Sequence, residues 1–156
     1  MQTRGALVCL TLILLFTSAL ADPFRGQWVL NVARSHYGRG AKARTQETFV
    51  CETDKESLKC TIKSQYTDGT KVVGSFTAAY NGKPYPVAGI PDIDQVTLQR
   101  VDDFVADATF SFKGRPIFGY RAIKSDDGRS LTVVSVEPIT RSVLTSVVVY
   151  DQQQKR

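Results

Sequence analysis

The chain is expected to be all-β, an up-and-down antiparallel barrel of eight to ten strands, and three observations point there. Apolar and polar residues alternate with period two through most of the sequence, and no run of helical period reaches three turns. The alternating runs are separated by short turn-like clusters, with no crossover helix between them. A meander of short strands has two open edges, and closing it into a barrel removes them. An open two-sheet sandwich is the alternative arrangement of the same strands.

The segments follow one another at short intervals. Gly26-Gln27-Trp28 opens the first strand, Trp28 to Val32, and Trp28 is the only tryptophan in the chain. An indole suits the end of an apolar barrel interior, since it buries a large area and has one N–H to satisfy. Gly26 lets a neighbouring chain pass close or lets the entering chain bend. An irregular Ala33 to Gly40 loop follows. Thr45 to Glu52 and Leu58 to Tyr66 then alternate, the second with Leu58, Cys60, Ile62, Ser64 and Tyr66 on its dry face. Thr67-Asp68-Gly69-Thr70 turns the chain into Lys71 to Tyr80. Asn81-Gly82 is the strongest turn signal and suits a type I′ hairpin. Pro84 and Pro86 deny ladder donors to the return segment Lys83 to Val87, which reads as an edge or a lid, and Ala88 to Asp92 continues as loop. Gln95 to Val101, Phe104 to Phe112, Ile117 to Ser125, Ser130 to Glu137 and Val143 to Tyr150 complete the strands. In the run from Phe104, the residues Phe104, Ala106, Ala108, Phe110 and Phe112 share one dry face.

Composition bounds the class. Arg4, the apolar run Ala6 to Phe16 and Ala19-Leu20-Ala21 read as a secretory signal peptide, residues 1–21, cut before Asp22. The apolar run is too short to span a bilayer, no cysteine follows the cut, and no stable membrane anchor is expected. Residues 22–156 then form one domain with a net charge of +4 once Arg4 is removed from the chain's +5. The basic residues are scattered, which disfavours nucleic acid as a partner. An exported, periplasmic or extracellular location suits the cysteines: Cys9 leaves with the signal, and Cys51 and Cys60 are spaced to pair across a hairpin. Closing so short a loop contributes about 2–3 kcal/mol.

Chemistry finds little support in the residues. His36 is the only histidine, no nucleophile elbow accompanies it, and no enzyme, cofactor or metal site is expected. Asp92-Ile93-Asp94 and Asp126-Asp127-Gly128 lack the length and later Glu of a calcium loop and read as turn acids. The barrel interior is the better candidate. Gly74, Ala78, Ala106 and Ala108 leave volume on dry faces, while Tyr85, Val87 and Ile90 lie on the punctuated Asn81 to Asp92 stretch, read as a mouth flap. Arg100 shares its face with Val96 and Leu98, and Arg121 with Ile117, Gly119 and Ile123. Either could point inward toward a ligand carboxylate or an internal acid, or lie outside or at the barrel end as a clamp over Trp28. The ligand-binding candidates are thus Tyr85, Val87, Ile90, Arg100 and Arg121, with Gly26 and Trp28 structural.

Gly26-Gln27-Trp28 with Leu30-Asn31, the stretch Tyr80 to Gly89, and Val96-Thr97-Leu98-Gln99-Arg100 together resemble a group of small secreted bacterial proteins described as lipocalin-like, of the calycin type and without an assigned activity. The resemblance covers most of the chain after residue 21 and implies a calycin-type barrel with no catalytic residues to carry over. The chain departs from true lipocalins where Thr67-Asp68 runs into Gly69-Thr70. The leading expectation is an exported barrel binding a small apolar or amphipathic molecule in or at the mouth of its interior. Gly26-Gln27-Trp28-Val29-Leu30 also resembles the opening of small periplasmic metalloprotease inhibitors, which place the preceding segment in a protease cleft. Only Asp22-Pro23-Phe24-Arg25 precedes it here, so a protein-binding barrel with a secreted protease as partner is the second expectation.

Overall fold

The computed structural model describes residues 22–139 and 143–153. The expected signal segment 1–21, with Cys9, lies outside the described residues. Ten strands follow in order: β1 Gly26–Leu30, β2 Arg44–Asp54, β3 Ser57–Tyr66, β4 Lys71–Ala79, β5 Asn81–Ala88, β6 Gln95–Arg100, β7 Val105–Phe112, β8 Arg115–Lys124, β9 Ser130–Val136 and β10 Val143–Gln153. Each pairs antiparallel with its neighbours in sequence, and β1 pairs with β10 to close the barrel. The expected fold class is the one observed. Among the described residues the helical structure is a short 3-10 turn, Val32–Arg34, which begins at the expected end of the first strand and runs into the loop expected from Ala33.

One end of the barrel is a sealed floor. Trp28 is fully buried, and its indole Nε1 donates to the Phe24 carbonyl at 2.9 Å, so the single polar atom of the ring is satisfied. The residues before β1 cross this end. Asp22 accepts from Arg100 Nη2 at 2.9 Å, at the end of β6, and from the Tyr80 hydroxyl at 3.2 Å, just past β4. Arg100 also lies 4.1 Å from the centre of the Tyr80 ring. Gly26, with φ of 139°, admits this path, in a region that side-chain-bearing residues rarely adopt. A Cβ there would also meet Gln152 Nε2 of β10 at 3.0 Å.

The second hairpin carries the disulfide. Cys51 and Cys60 stand directly opposite in the β2–β3 register, their Cα atoms 4.2 Å apart, and both side chains are buried. Lys55, with φ of 55°, makes the turn between the strands.

The structure corrects the reading of Lys83 to Val87 as an edge or lid. This stretch belongs to β5, a strand of the closed sheet, held to β6 from Asn81↔Gln99 to Pro86↔Gln95. The Val87 N–H donates to Asp94 O on the β6 side. Residues two apart along a strand turn their amides the same way, and neighbours turn the opposite way. The nitrogens of Pro84 and Pro86 therefore face β4, and that seam is paired only at Ser75↔Ala88 and Phe76↔Val87. The prolines are tolerated because the ladder they would break is absent. That register still centres the hairpin on Asn81-Gly82, but only Gly82 takes positive φ, so the turn is not type I′. Asn81 instead caps it, its Oδ1 accepting from the Lys83 N–H at 3.0 Å. Phe104 is a second correction: it is 44% exposed, because the chain is still turning from Val101 when it passes there and β7 begins one residue later.

Trp28→Ala is expected to lower unfolding free energy by about 3–5 kcal/mol, the range for a buried aromatic truncated to Ala. Denaturant titration measures it; near-wild-type stability would show that the floor does not depend on the indole. Intact mass without reductant should show the Cys51–Cys60 bond, and replacing both cysteines with Ala should cost about 2–3 kcal/mol in the same titration.

Candidate functional site

Above the Trp28 floor the barrel interior holds a half-open cavity of about 170 Å³. Its walls are mainly apolar: Phe49, Phe76, Leu98, Phe110, Phe118 and Val133 contribute, and Ala106, Ala108 and Ala122 leave the room. The aromatic side is a cluster in which Phe110 lies 5.0 Å from Phe118 and 6.1 Å from Tyr120. Such tilted and edge-on contacts suit ring quadrupoles.

The end away from Trp28 is polar. Glu47 is buried at 3% exposure, and β2 places it opposite Ser64 of β3. The Ser64 hydroxyl donates to Glu47 Oε2, and the Tyr150 hydroxyl of β10 donates to Oε1 at 2.5 Å. Arg44 Nε lies 2.9 Å from Oε2. A buried carboxylate is costly unless paired and hydrogen-bonded, and here both of its oxygens are occupied. The Arg44 guanidinium sits between the rings of Tyr37 and Tyr66, 6.0 and 5.7 Å from their centres, and its Nη2 reaches the Tyr120 hydroxyl at 3.5 Å.

Burial works most strongly against the Arg44 charge, but the Glu47 carboxylate together with the Tyr120 and Tyr150 hydroxyls outweighs it and holds the guanidinium protonated above its ordinary range. Burial likewise raises the hydroxyls of Tyr120 and Tyr150 above their ordinary value of 10.0, and beside Tyr150 the Glu47 charge adds to it. Tyr80, at the floor, is raised by burial and then by Asp22.

A bulge builds this arrangement. The β2–β3 register shifts between Arg44 and Gln46. An odd and an even position of the same strand, Glu47 and Arg44, can therefore both turn inward.

Of the five residues singled out as ligand contacts, Ile90 alone lines the cavity. It reaches in over Gly74, where a Cβ would come within 2.3 Å of Ile90 Cγ1. The glycine thus leaves no void of its own, since the loop after β5 fills it. Tyr85 and Val87 are half-buried and pack against the core, and the Tyr85 hydroxyl accepts from Asn81 Nδ2 at 2.8 Å. Arg100 is part of the floor, over Tyr80 and Phe24. Arg121 lies between cavity-lining Tyr120 and Ala122, does not itself line the cavity, and grips the buried Asp107 carboxylate with two hydrogen bonds of 2.9 and 3.0 Å. Outside the β4–β5 seam a groove runs along Lys59, Thr77 and Pro86, and Phe76 forms part of both groove and cavity. His36 is exposed and bridges to Val147 through its backbone. Among the described residues no group of three or more His, Cys, Asp or Glu side chains could hold a metal ion.

The polar cluster was not among the sequence candidates. Glu47 alternates in phase with Phe49 and Cys51, which was a usable signal for its inward direction; Arg44 carried none, because the bulge breaks the period.

Glu47→Ala should destabilise the protein by about 3–5 kcal/mol, because it leaves a buried guanidinium unpaired, and Arg44→Met combined with Glu47→Leu should recover much of that loss. Chemical denaturation of the wild type and the two variants checks both. The raised tyrosines set a pH dependence. Their folded-state values lie above those of the unfolded chain, so their contribution is fully present below pH 10 and is lost as pH rises beyond it. In an alkaline titration part of the tyrosinate absorbance should therefore appear only together with loss of native circular dichroism; ionisation of every tyrosine in a folded barrel would contradict this.

Comparison with protein-family models, with curated proteins and with solved structures finds no match to this chain.

Proposed function

We propose that this chain is an exported binding protein that holds a small apolar or amphipathic molecule inside its barrel, the apolar body among the aromatic walls and any polar tip toward Arg44 and Tyr120. The carrying observation is the cavity itself. Protein interiors are close-packed, with few voids larger than a water molecule, and a dry apolar cavity of about 150 Å³ in another protein binds benzene. The space here is about 170 Å³ and its lining is of the same apolar kind. The Cys51–Cys60 disulfide supports an oxidising, exported setting. A closed β-barrel floored by a tryptophan supports the lipocalin-like reading as well.

The folded-down N-terminal segment favours this over a protease partner. An inhibitor of the kind considered above would offer Asp22 to Arg25 to a protease cleft, whereas here Phe24 is 5% exposed and Asp22 is tied to Arg100 and Tyr80.

Native mass spectrometry of the protein purified from its own host, followed by solvent extraction, should reveal a bound small molecule. Ala106→Phe, which fills the cavity from β7, should abolish that adduct at a stability cost of about 1–3 kcal/mol. An empty wild-type barrel that also fails to take up benzene would refute the reading, and inhibition in a screen of secreted proteases would favour the other.

A further inference from the structure

The hydrogen-bonding inventory of the cavity's polar end specifies the ligand more closely, an inference that rests on the binding function proposed above. The carboxylate at this end is engaged. Glu47 Oε1 receives the Tyr150 hydroxyl, and Oε2 receives Ser64 and lies against Arg44. At the other end the Tyr80 hydroxyl gives its hydrogen to Asp22.

The donors are not taken. Tyr120 accepts from Arg44 Nη2, a contact that uses an oxygen lone pair and leaves the hydroxyl hydrogen without an acceptor among the described residues. Arg44 has five N–H hydrogens, and the acceptors it faces among the described residues are Glu47, that Tyr120 oxygen and the Tyr37 hydroxyl. Tyr120 and Arg44 both line the cavity, so two under-used donors 3.5 Å apart converge on its polar end. A buried donor without an acceptor is costly, and a ligand that supplies one relieves that cost.

Charge then selects among acceptors. The guanidinium already has its counter-charge in Glu47, 2.9 Å away. A ligand carboxylate would place a second negative charge beside the first in a site of low dielectric, and the repulsion would oppose its binding. The aromatic walls and the volume admit one ring or a short chain.

We infer that the ligand is a neutral, mainly apolar molecule with a single hydrogen-bond-accepting oxygen at its tip, a small ketone, aldehyde or ester, and that Tyr120 and Arg44 recognise that oxygen.

Titration calorimetry with three probes of similar size, acetophenone, ethylbenzene and benzoate, tests this on the wild-type protein and on Tyr120→Phe. Losing the Tyr120 hydroxyl should weaken acetophenone about fivefold to tenfold, the usual net worth of a hydrogen bond, and leave ethylbenzene unchanged. Benzoate at neutral pH should bind at least about tenfold more weakly than acetophenone. Ethylbenzene serves as the control for folding and for the cavity in the variant. Equal weakening of acetophenone and ethylbenzene, or benzoate binding tightest, would overturn the inference while leaving the binding function in place. Failure of all three probes on the wild-type protein would overturn both.

Discussion

Closure of the sheet is the constraint on which everything else in this molecule depends. β1 is short, Gly26–Leu30, and it closes the sheet, pairing with β2 on one side and β10 on the other. Leu30 stands opposite Tyr150 and Trp28 opposite Gln152 in that ladder. The floor and one member of the polar cluster therefore share a single seam. Without it the Trp28 indole would lose its enclosing walls, and the Tyr150 hydroxyl would not reach Glu47.

The interior is divided along the barrel axis. At the floor the polar groups satisfy one another, with Asp22, Tyr80 and Arg100 forming a closed set that stiffens the end without offering donors inward. The opposite end carries a charge pair held by Ser64 and Tyr150, with donor capacity to spare at Tyr120 and Arg44. Between them the wall is aromatic and aliphatic. A buried ion pair of this kind is weak evidence for stability, since an apolar replacement of similar volume is often as stable.

What could be read from the sequence was what obeys a period or a spacing. Alternation placed the strands to within a few residues, Gly26 and Trp28 marked the floor, and the spacing of Cys51 and Cys60 placed them across one hairpin. What escaped depended on breaks in the period or on contacts distant in sequence. Arg44 turns inward only because of the bulge before Gln46, and Tyr120 and Tyr150 meet β2 residues only after the sheet has closed. Pro84 and Pro86 misled for a more local reason. A proline forbids a ladder on the side its nitrogen faces, and that leaves β5 free to pair with β6 on the other.

That one-sided pairing makes the barrel mechanically uneven. Prising two strands apart costs the backbone hydrogen bonds between them, and between β4 and β5 these are confined to the stretch around Ser75↔Ala88 and Phe76↔Val87. Phe76 stands there with the cavity on one side and the outer groove on the other. The barrel thus has one thin place in its side, where a small local breathing motion would open a further path between interior and solvent while the remaining ladders stay zipped.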